Sequence, residues 1–163
     1  LLTARKFNYF PIIRKDFILS EYQILEAKSM GADTILLIAA ALEPKELKDF
    51  AAFTKTLGME VLLEVHNAKE LEDYINDDVD VVGVNNRNLG NFETAVQTSI
   101  DLAELIPNDF VKISESGIKD PATIGTLRQY GYKGFLMGTY FMKFDKPEEA
   151  CAAFIEKMSS AMA

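Results

Sequence analysis

The chain has 163 residues, 48% of them hydrophobic, which is enough for a real globular core and argues against disorder. Its longest apolar stretch, Thr34 to Leu42, is about half of the ~20 residues that cross a bilayer, and a formal charge of −8 argues against nucleic acid or an anionic membrane as partner. One cysteine, Cys151, and one histidine, His66, exclude an internal disulfide framework and leave little scope for a metal centre or a histidine-centred triad.

The N-terminus, Leu1-Leu-Thr-Ala-Arg-Lys6, has neither an initiator Met nor the basic-then-apolar order of a signal peptide, so the chain is expected to begin inside a longer protein. The first apolar run, Pro11-Ile-Ile-Arg-Lys-Asp16, reads as a strand that ends in a cation. Ser20-Glu-Tyr-Gln23 has capping-box form and opens a helix toward Met30, which Gly31 closes. Thr34–Ile38 is a strand that fades into alanines. Pro44 suits the first turn of a helix ended by Gly58, with Leu47, Phe50, Ala51, Thr54 and Leu57 on one stripe toward the sheet. Val61–Val65 is a strand carrying Glu64, followed by a helix from Ala68 to Ile75. Val81–Arg87 is a strand that ends in an amide pair and Arg87.

A helix from Thr94 to Ile106 stops before Pro107. Val111–Ser114 is a strand running into Glu115-Ser116-Gly117, and the next helix starts at Asp120-Pro121 and stops at Gly131. Phe135-Leu-Met137 is a short strand leading to Gly138-Thr139. The last helix begins near Pro147 and turns Ala150, Phe154, Ile155 and Met158 inward, with Cys151 expected as a small buried helix residue.

Strand midpoints at Ile13, Leu36, Leu63, Gly83, Ile113 and Leu136 lie 20 to 30 residues apart, the length of a strand, a loop, a helix and a second loop. Near-continuous apolar runs indicate strands buried on both faces, as in a parallel sheet covered by helices. No linker or low-complexity stretch interrupts the series, so residues 1–163 are expected to form one domain. Two architectures fit such a series, an open doubly wound sheet and a closed (β/α)8 TIM barrel. Arg14-Lys-Asp-Phe17 lacks the glycine fingerprint of the first, and polar residues at almost every strand end favour the second.

Five of the six strand endings carry chemistry. Lys15 offers a point charge with three donors that can protonate or polarise a carbonyl oxygen, while Arg14 alternates to the other face. Glu64 sits between apolar Leu63 and Val65, a partly desolvated carboxylate suited to proton transfer. Asn85 and Arg87 alternate to one side, where an amide orients a substrate and a guanidinium grips an anion; Asn86 and Asn88 are read as turn residues. Gly117 and Gly138-Thr139 follow the last two strands, where barrels bind phosphate with backbone N–H groups, and Ser116 and Thr139 add hydroxyls. His66, two past Glu64, is read as a solvated or loop-fixing residue in preference to a catalytic one, and a structural ion pair of Lys15 with Asp16 or Glu64 is the competing reading of the lysine.

Together, Pro11-Ile-Ile-Arg-Lys-Asp-Phe17, Leu62-Leu-Glu-Val65, Gly83-Val-Asn-Asn-Arg-Asn-Leu89, Ser114-Glu-Ser-Gly-Ile118 and Met137-Gly-Thr139 resemble the motifs of the indole-3-glycerol phosphate synthase family, in order and over nearly the whole chain. The resemblance implies a (β/α)8 barrel lyase of tryptophan biosynthesis, cytoplasmic and without metal or organic cofactor. Its substrate is a phosphorylated small molecule, 1-(2-carboxyphenylamino)-1-deoxyribulose 5-phosphate, which it closes, decarboxylates and dehydrates to indole-3-glycerol phosphate. It makes Lys15 the general acid, Glu64 the proton carrier of the dehydration and Asn85 the positioning amide. Phe17 lies near the aromatic ring, Arg87, Glu115 and Ser116 line the pocket, and Gly117, Gly138 and Thr139 hold the phosphate.

In the family the Lys-Asp-Phe motif lies on the third strand. The resemblance therefore implies that this chain holds only the last six βα units, lacking two strands, a helical extension, a Ser-Pro-Ser phosphate segment, a Glu and a second Lys. Two expectations follow, negligible turnover by the chain alone and self-association through unpaired edges at the Ile12 and Leu136 strands. Two other readings stay open at this point: another phosphate-binding barrel such as a sugar isomerase or aldolase, and a non-catalytic folding module.

Overall fold

The structure, a computed structural model, describes residues 1–90 and 92–161. Among these residues strands and helices alternate: α1 (Leu2–Arg5), β1 (Ile13–Arg14), α2 (Glu21–Ser29), β2 (Thr34–Ile38), α3 (Pro44–Thr56), β3 (Glu60–Val65), α4 (Ala68–Tyr74), β4 (Val81–Asn85), α5 (Gln97–Leu102), β5 (Val111–Glu115), α6 (Pro121–Gln129), β6 (Gly134–Leu136) and α7 (Pro147–Ala161). In the sheet each strand lies beside the next one in the chain, from β1 to β6. That order decides between the two architectures. A doubly wound sheet reverses its strand order at a switch point, whereas a barrel is wound in sequence, and this α/β chain is wound as a barrel with six βα units.

The chain divides into two compact units, Leu1–Gly83 and Val84–Ala163. In the first, β1 pairs parallel with β2 through Ile13–Thr34 and Arg14–Ile35, and β2 pairs parallel with β3 from Thr34–Glu60 to Ile38–Glu64. β2 and β3 are buried on both faces, as their unbroken apolar runs require, with Ile35, Leu37, Val61, Leu63 and Val65 all fully buried, while the short β1 is half-buried. The stripe on α3 is as expected, with Leu47, Ala51 and Thr54 buried. The α3 start differs from a bare proline start, because the Glu43 N–H donates to the Glu46 carboxylate at 3.0 Å.

The capping box expected at Ser20 is not formed. The Gln23 carboxamide instead bridges the loop before the helix, accepting from the Leu19 N–H (2.8 Å) and the Ser20 hydroxyl (3.3 Å) and donating to the Phe17 carbonyl (2.9 Å). One long amide thus satisfies the loop that carries Phe17. The short helix α1, absent from the sequence reading, is tied down by Arg5, which pairs with Asp33 and donates to the Gly31 carbonyl. The Ile12 N–H and then Arg5 hold the Asp33 carboxyl below its ordinary range.

In the second unit β5 and β6 are parallel, with Ile113–Gly134, Ser114–Phe135 and Glu115–Leu136 in register. Gly134 is needed for that contact, since a Cβ there would come within 2.8 Å of the Ile113 side chain. Leu102, Ile106, Ile124, Leu127 and Tyr132 form the apolar interior, and Tyr140, Phe141 and Phe144 join Phe154 of α7 in an edge-to-face cluster with centroids 5.2 to 5.7 Å apart. Ile155, expected inward on α7, is half exposed, and Cys151 is half-buried rather than buried.

The helix expected over Thr94 to Ile106 is much shorter. Its first residues are taken by the loop after β4, where Thr94 bridges antiparallel to Arg87 and the Ala95 N–H donates to the Asn86 carbonyl at 3.0 Å. At its other end the Ala103 carbonyl accepts the Lys112 ammonium at 2.6 Å. Pairing with distant partners replaced the helical bonds that local propensity favours.

Candidate active site

In the first unit the strand ends bring Lys15 and Glu64 together. Lys15 follows β1, Glu64 lies opposite Ile38 at the end of β3, and Lys15 Nζ stands 3.2 Å from Glu64 Oε2. Their exposures differ in a useful way. The Glu64 side chain is 4% exposed and the Lys15 side chain 46%, so the carboxylate is fixed and the ammonium reaches toward solvent from it. Arg14 turns to the opposite face, as the strand pleat requires, and pairs with Glu26 of α2 and with Asp16. The Glu26 carboxylate raises the Arg14 pKa, against the effect of burial. Phe17 is largely exposed, its N–H donating to the Asp16 carboxylate at 2.9 Å.

His66 is fixed rather than mobile. The Glu70 carboxylate accepts its backbone N–H at 2.8 Å and faces its ring Nδ1 at 3.1 Å, while Nε2 lies 3.4 Å from Glu64 Oε1. Burial pushes the Glu70 carboxyl up, but the bonds from His66 and Asn67 outweigh it and hold the group below its ordinary range. Glu70 is the residue of this group that the sequence reading passed over. Its signal was there in the spacing from His66, which sets Glu70 in the first turn of α4 while His66 lies just before the cap. Asn67 caps α4 by accepting the Glu70 N–H at 2.9 Å.

In the second unit the loops after β4, β5 and β6 carry the remaining residues. Asn85 and Arg87 are half-buried, and the Asn85 side chain accepts the Arg87 N–H at 3.0 Å, so the amide shapes the turn that presents the guanidinium. Asn88 serves the turn as expected, accepting the Gly90 N–H at 2.7 Å and donating its own N–H to the Glu93 carbonyl at 2.8 Å. Asn86 is not a turn residue of that kind. It is 2% exposed, and its amide reaches Ser99, Ser114 and Ser116.

Glu115 is 1% exposed at the end of β5, a buried carboxylate in line with the strand pairing of Leu136. Ser116 and Gly117 both adopt positive φ, 66° and 74°. Gly117 has no room for a side chain, because a Cβ would meet the Thr94 methyl at 2.6 Å. Gly138 is different: it is exposed, and nothing lies within 4 Å of where its Cβ would be. Thr139 beside it is exposed as well. The Ser116 N–H donates to the Leu136 carbonyl at 3.3 Å, which joins the loop after β5 to the end of β6.

Each unit thus gathers its own part of the polar strand endings. The first supplies a lysine against a buried carboxylate, and the second supplies a guanidinium, a buried carboxylate and a tight serine-glycine turn.

Comparison with known proteins gives one consistent result. The family model described as indole-3-glycerol phosphate synthase matches residues 1–154. An indole-3-glycerol phosphate synthase of Bacteroides thetaiotaomicron is 51% identical over 154 residues, covering 94% of this chain and 59% of the relative. One from Variovorax paradoxus is 46% identical over 156 residues, covering 96% and 59%. The chain therefore spans about three-fifths of the length of the curated relatives it matches. Among solved structures, a chain of the tryptophan synthase α2β2 complex from Pyrococcus furiosus superposes with a TM-score of 0.74 at 17% identity, covering 98% of this chain and 71% of that one. A structure titled native KDPGal gives 0.66 at 16%, covering 89% and 67%. At those identities the likeness is one of fold, and it places the chain in the TIM-barrel class.

Proposed function

This chain belongs to the indole-3-glycerol phosphate synthase family, and on that premise we propose that a full-length protein carrying it converts 1-(2-carboxyphenylamino)-1-deoxyribulose 5-phosphate into indole-3-glycerol phosphate, carbon dioxide and water. The observation that carries the reading is the Lys15–Glu64 pair at 3.2 Å, one partner buried and the other half exposed. The Lys15 ammonium donates its proton to the ribulose carbonyl oxygen as the aromatic ring carbon attacks the carbonyl carbon. The new carbon–carbon bond closes the five-membered ring, and loss of carbon dioxide returns its electron pair to the aromatic system. Departure of the hydroxyl as water needs a proton delivered to oxygen and one removed from the ring system, and Glu64 handles this exchange.

The remaining residues bind. Arg87 and Asn85 orient the substrate, Glu115 and Ser116 line the pocket, Phe17 offers an exposed ring to the anthranilate face, and Gly117, Gly138 and Thr139 hold the phosphate. The acidic chain supplies local donors where its overall field opposes an anion. We read residues 1–163 as one domain of a cytoplasmic enzyme, and the 163-residue chain by itself as without turnover. The short strand β1, with exposed Phe7, Tyr9 and Phe10 just before it, supports self-association of the isolated chain.

The test is formation of indole-3-glycerol phosphate by the full-length protein, with and without Lys15→Ala. Product formation that falls by about 10²- to 10⁴-fold in the variant, at unchanged melting temperature, is the expected result. No product from the unsubstituted protein, or equal rates from both, overturns the reading; turnover of an aldol or isomerase substrate instead would point to another phosphate-binding barrel.

A further inference from the structure

The loop after β5 is held in an unfavourable conformation by a side chain that the proposed chemistry does not use. Ser116 has φ 66°, a region where a non-glycine residue is strained, and Gly117 follows at φ 74°. What holds the pair is Asn86, buried at the end of β4. Its Oδ1 accepts the Ser99 N–H at 3.1 Å and the Ser99 hydroxyl at 2.9 Å, and its Nδ2 donates to Ser114 Oγ and to the Ser116 carbonyl, each at 3.0 Å. A backbone N–H only donates and a carbonyl only accepts, so the orientation of the amide is fixed by its partners. The Ser99 and Ser114 hydroxyls, 2.7 Å apart, close the network.

The anchoring of the Ser116 carbonyl has a geometric consequence. In a trans peptide the C=O and the following N–H point in opposite directions. With the Ser116 carbonyl directed onto the buried amide, the N–H of the same peptide, that of Gly117, points away from Asn86. We propose that Asn86 is the positioning residue of the anion cradle, holding the Ser116–Gly117 peptide so that the Gly117 N–H donates to a bound phosphate monoester. This inference rests on the phosphate-binding reading above and adds to it the residue that sets the donor's direction. Gly138, whose carbonyl accepts the local Met142 N–H at 3.1 Å and whose Cβ position is open, contributes access rather than aim.

The experiment uses the full-length protein and inorganic phosphate as probe. On titration with phosphate, the Gly117 amide resonance of the unsubstituted protein should move downfield and saturate. Asn86→Asp keeps the size of the side chain but replaces its donor by a carboxylate oxygen facing the Ser116 carbonyl. It should weaken phosphate binding by about tenfold or more and raise KM by a similar factor, with kcat changed by less than about threefold. Tyr132→Phe is the structural control, since it removes the 2.6 Å bond from Tyr132 to the Ser99 carbonyl in the same interior. It should lower the melting temperature and leave phosphate affinity unchanged.

A folded N86D protein with unaltered phosphate affinity, or a Y132F protein weakened as much as N86D, overturns the inference. So does a Gly117 amide that stays in place while phosphate saturates, a measurement that does not depend on the folding of N86D. Absence of phosphate binding by the unsubstituted protein is a separate result, because it removes the phosphate reading itself and the role of Asn86 with it.

Discussion

The two units solve the problem of placing polar groups at strand ends in opposite ways. In Leu1–Gly83 the work is done by titratable side chains: Lys15 against Glu64, His66 between Glu64 and Glu70, and Arg14 turned away onto Glu26. Val84–Ala163 also carries Arg87 and the buried Glu115, but there the turn after β5 is set by neutral groups: one buried amide, two buried hydroxyls, and a serine-glycine pair held at positive φ. The difference matches the roles proposed for the two sets of residues. A group that transfers protons must be titratable and partly reachable, while a group that receives a phosphate must be fixed and must not titrate. Charged side chains tolerate small displacements, whereas a backbone donor is only as well aimed as the peptide that carries it.

That contrast can be broken at several points. The largest effect is expected at the charged centre, where Glu64→Gln in the full-length protein should lower kcat by about 10²- to 10⁴-fold, or ~3–5 kcal/mol, with a smaller change in KM. Rate measurements at saturating substrate check this, and a Glu64→Gln enzyme with an unchanged kcat would remove the proton-carrier role. The neutral interior gives the next effect. Burial pushes the Tyr132 phenol up to about 12, against an ordinary value of 10.0. The unfolded chain releases this proton at the lower value and the folded chain at the higher one. Stability is therefore intact below pH 10.0 and lost as pH rises toward 12, by about 3 kcal/mol for this group. Denaturation across that range should show the loss in the unsubstituted protein and not in Tyr132→Phe.

The two glycines sharpen the comparison further. Gly117→Ala forces a Cβ to 2.6 Å from the Thr94 methyl at φ 74°, and should cost about 2 kcal/mol or more in urea unfolding. Gly138→Ala meets open space and should change stability by less than about 0.5 kcal/mol. Between the two glycines in size lies the effect expected at the support of the charged centre. Glu70→Gln weakens the bonds to His66 and should cost about 1 kcal/mol at neutral pH. Because the folded pKa of Glu70 lies below its ordinary 4.5, that contribution is present above pH 4.5 and fades as pH falls through the folded value. Acid titration of both proteins should therefore converge at low pH.

Much of this was legible beforehand. Strand positions came from unbroken apolar runs, because a strand buried on both faces leaves that mark whatever its neighbours are. Lys15, Glu64, Arg87 and Gly117 were visible because a buried strand has no structural need for a cation, a carboxylate or a tight turn at its end. The helix over 94–106 was misjudged because its first residues pair with Arg87 and Asn86, partners that helical periodicity does not register. The Ser20 box failed for a similar reason, since Gln23 found three partners in the preceding loop.

By itself the sequence determined where the strands and most helices lie, which strand ends are polar, and which of two adjacent cations points inward, because pleat and helical period are local properties of the backbone. Tertiary structure alone decided that the sheet is wound in chain order, that His66 is shared by Glu64 and Glu70, and that Asn86 is buried on Ser116 rather than spent in a turn. Those outcomes depend on partners from 4 to 30 residues away, and a side-chain amide looks the same in sequence whether its hydrogen bonds go to water or to a buried turn.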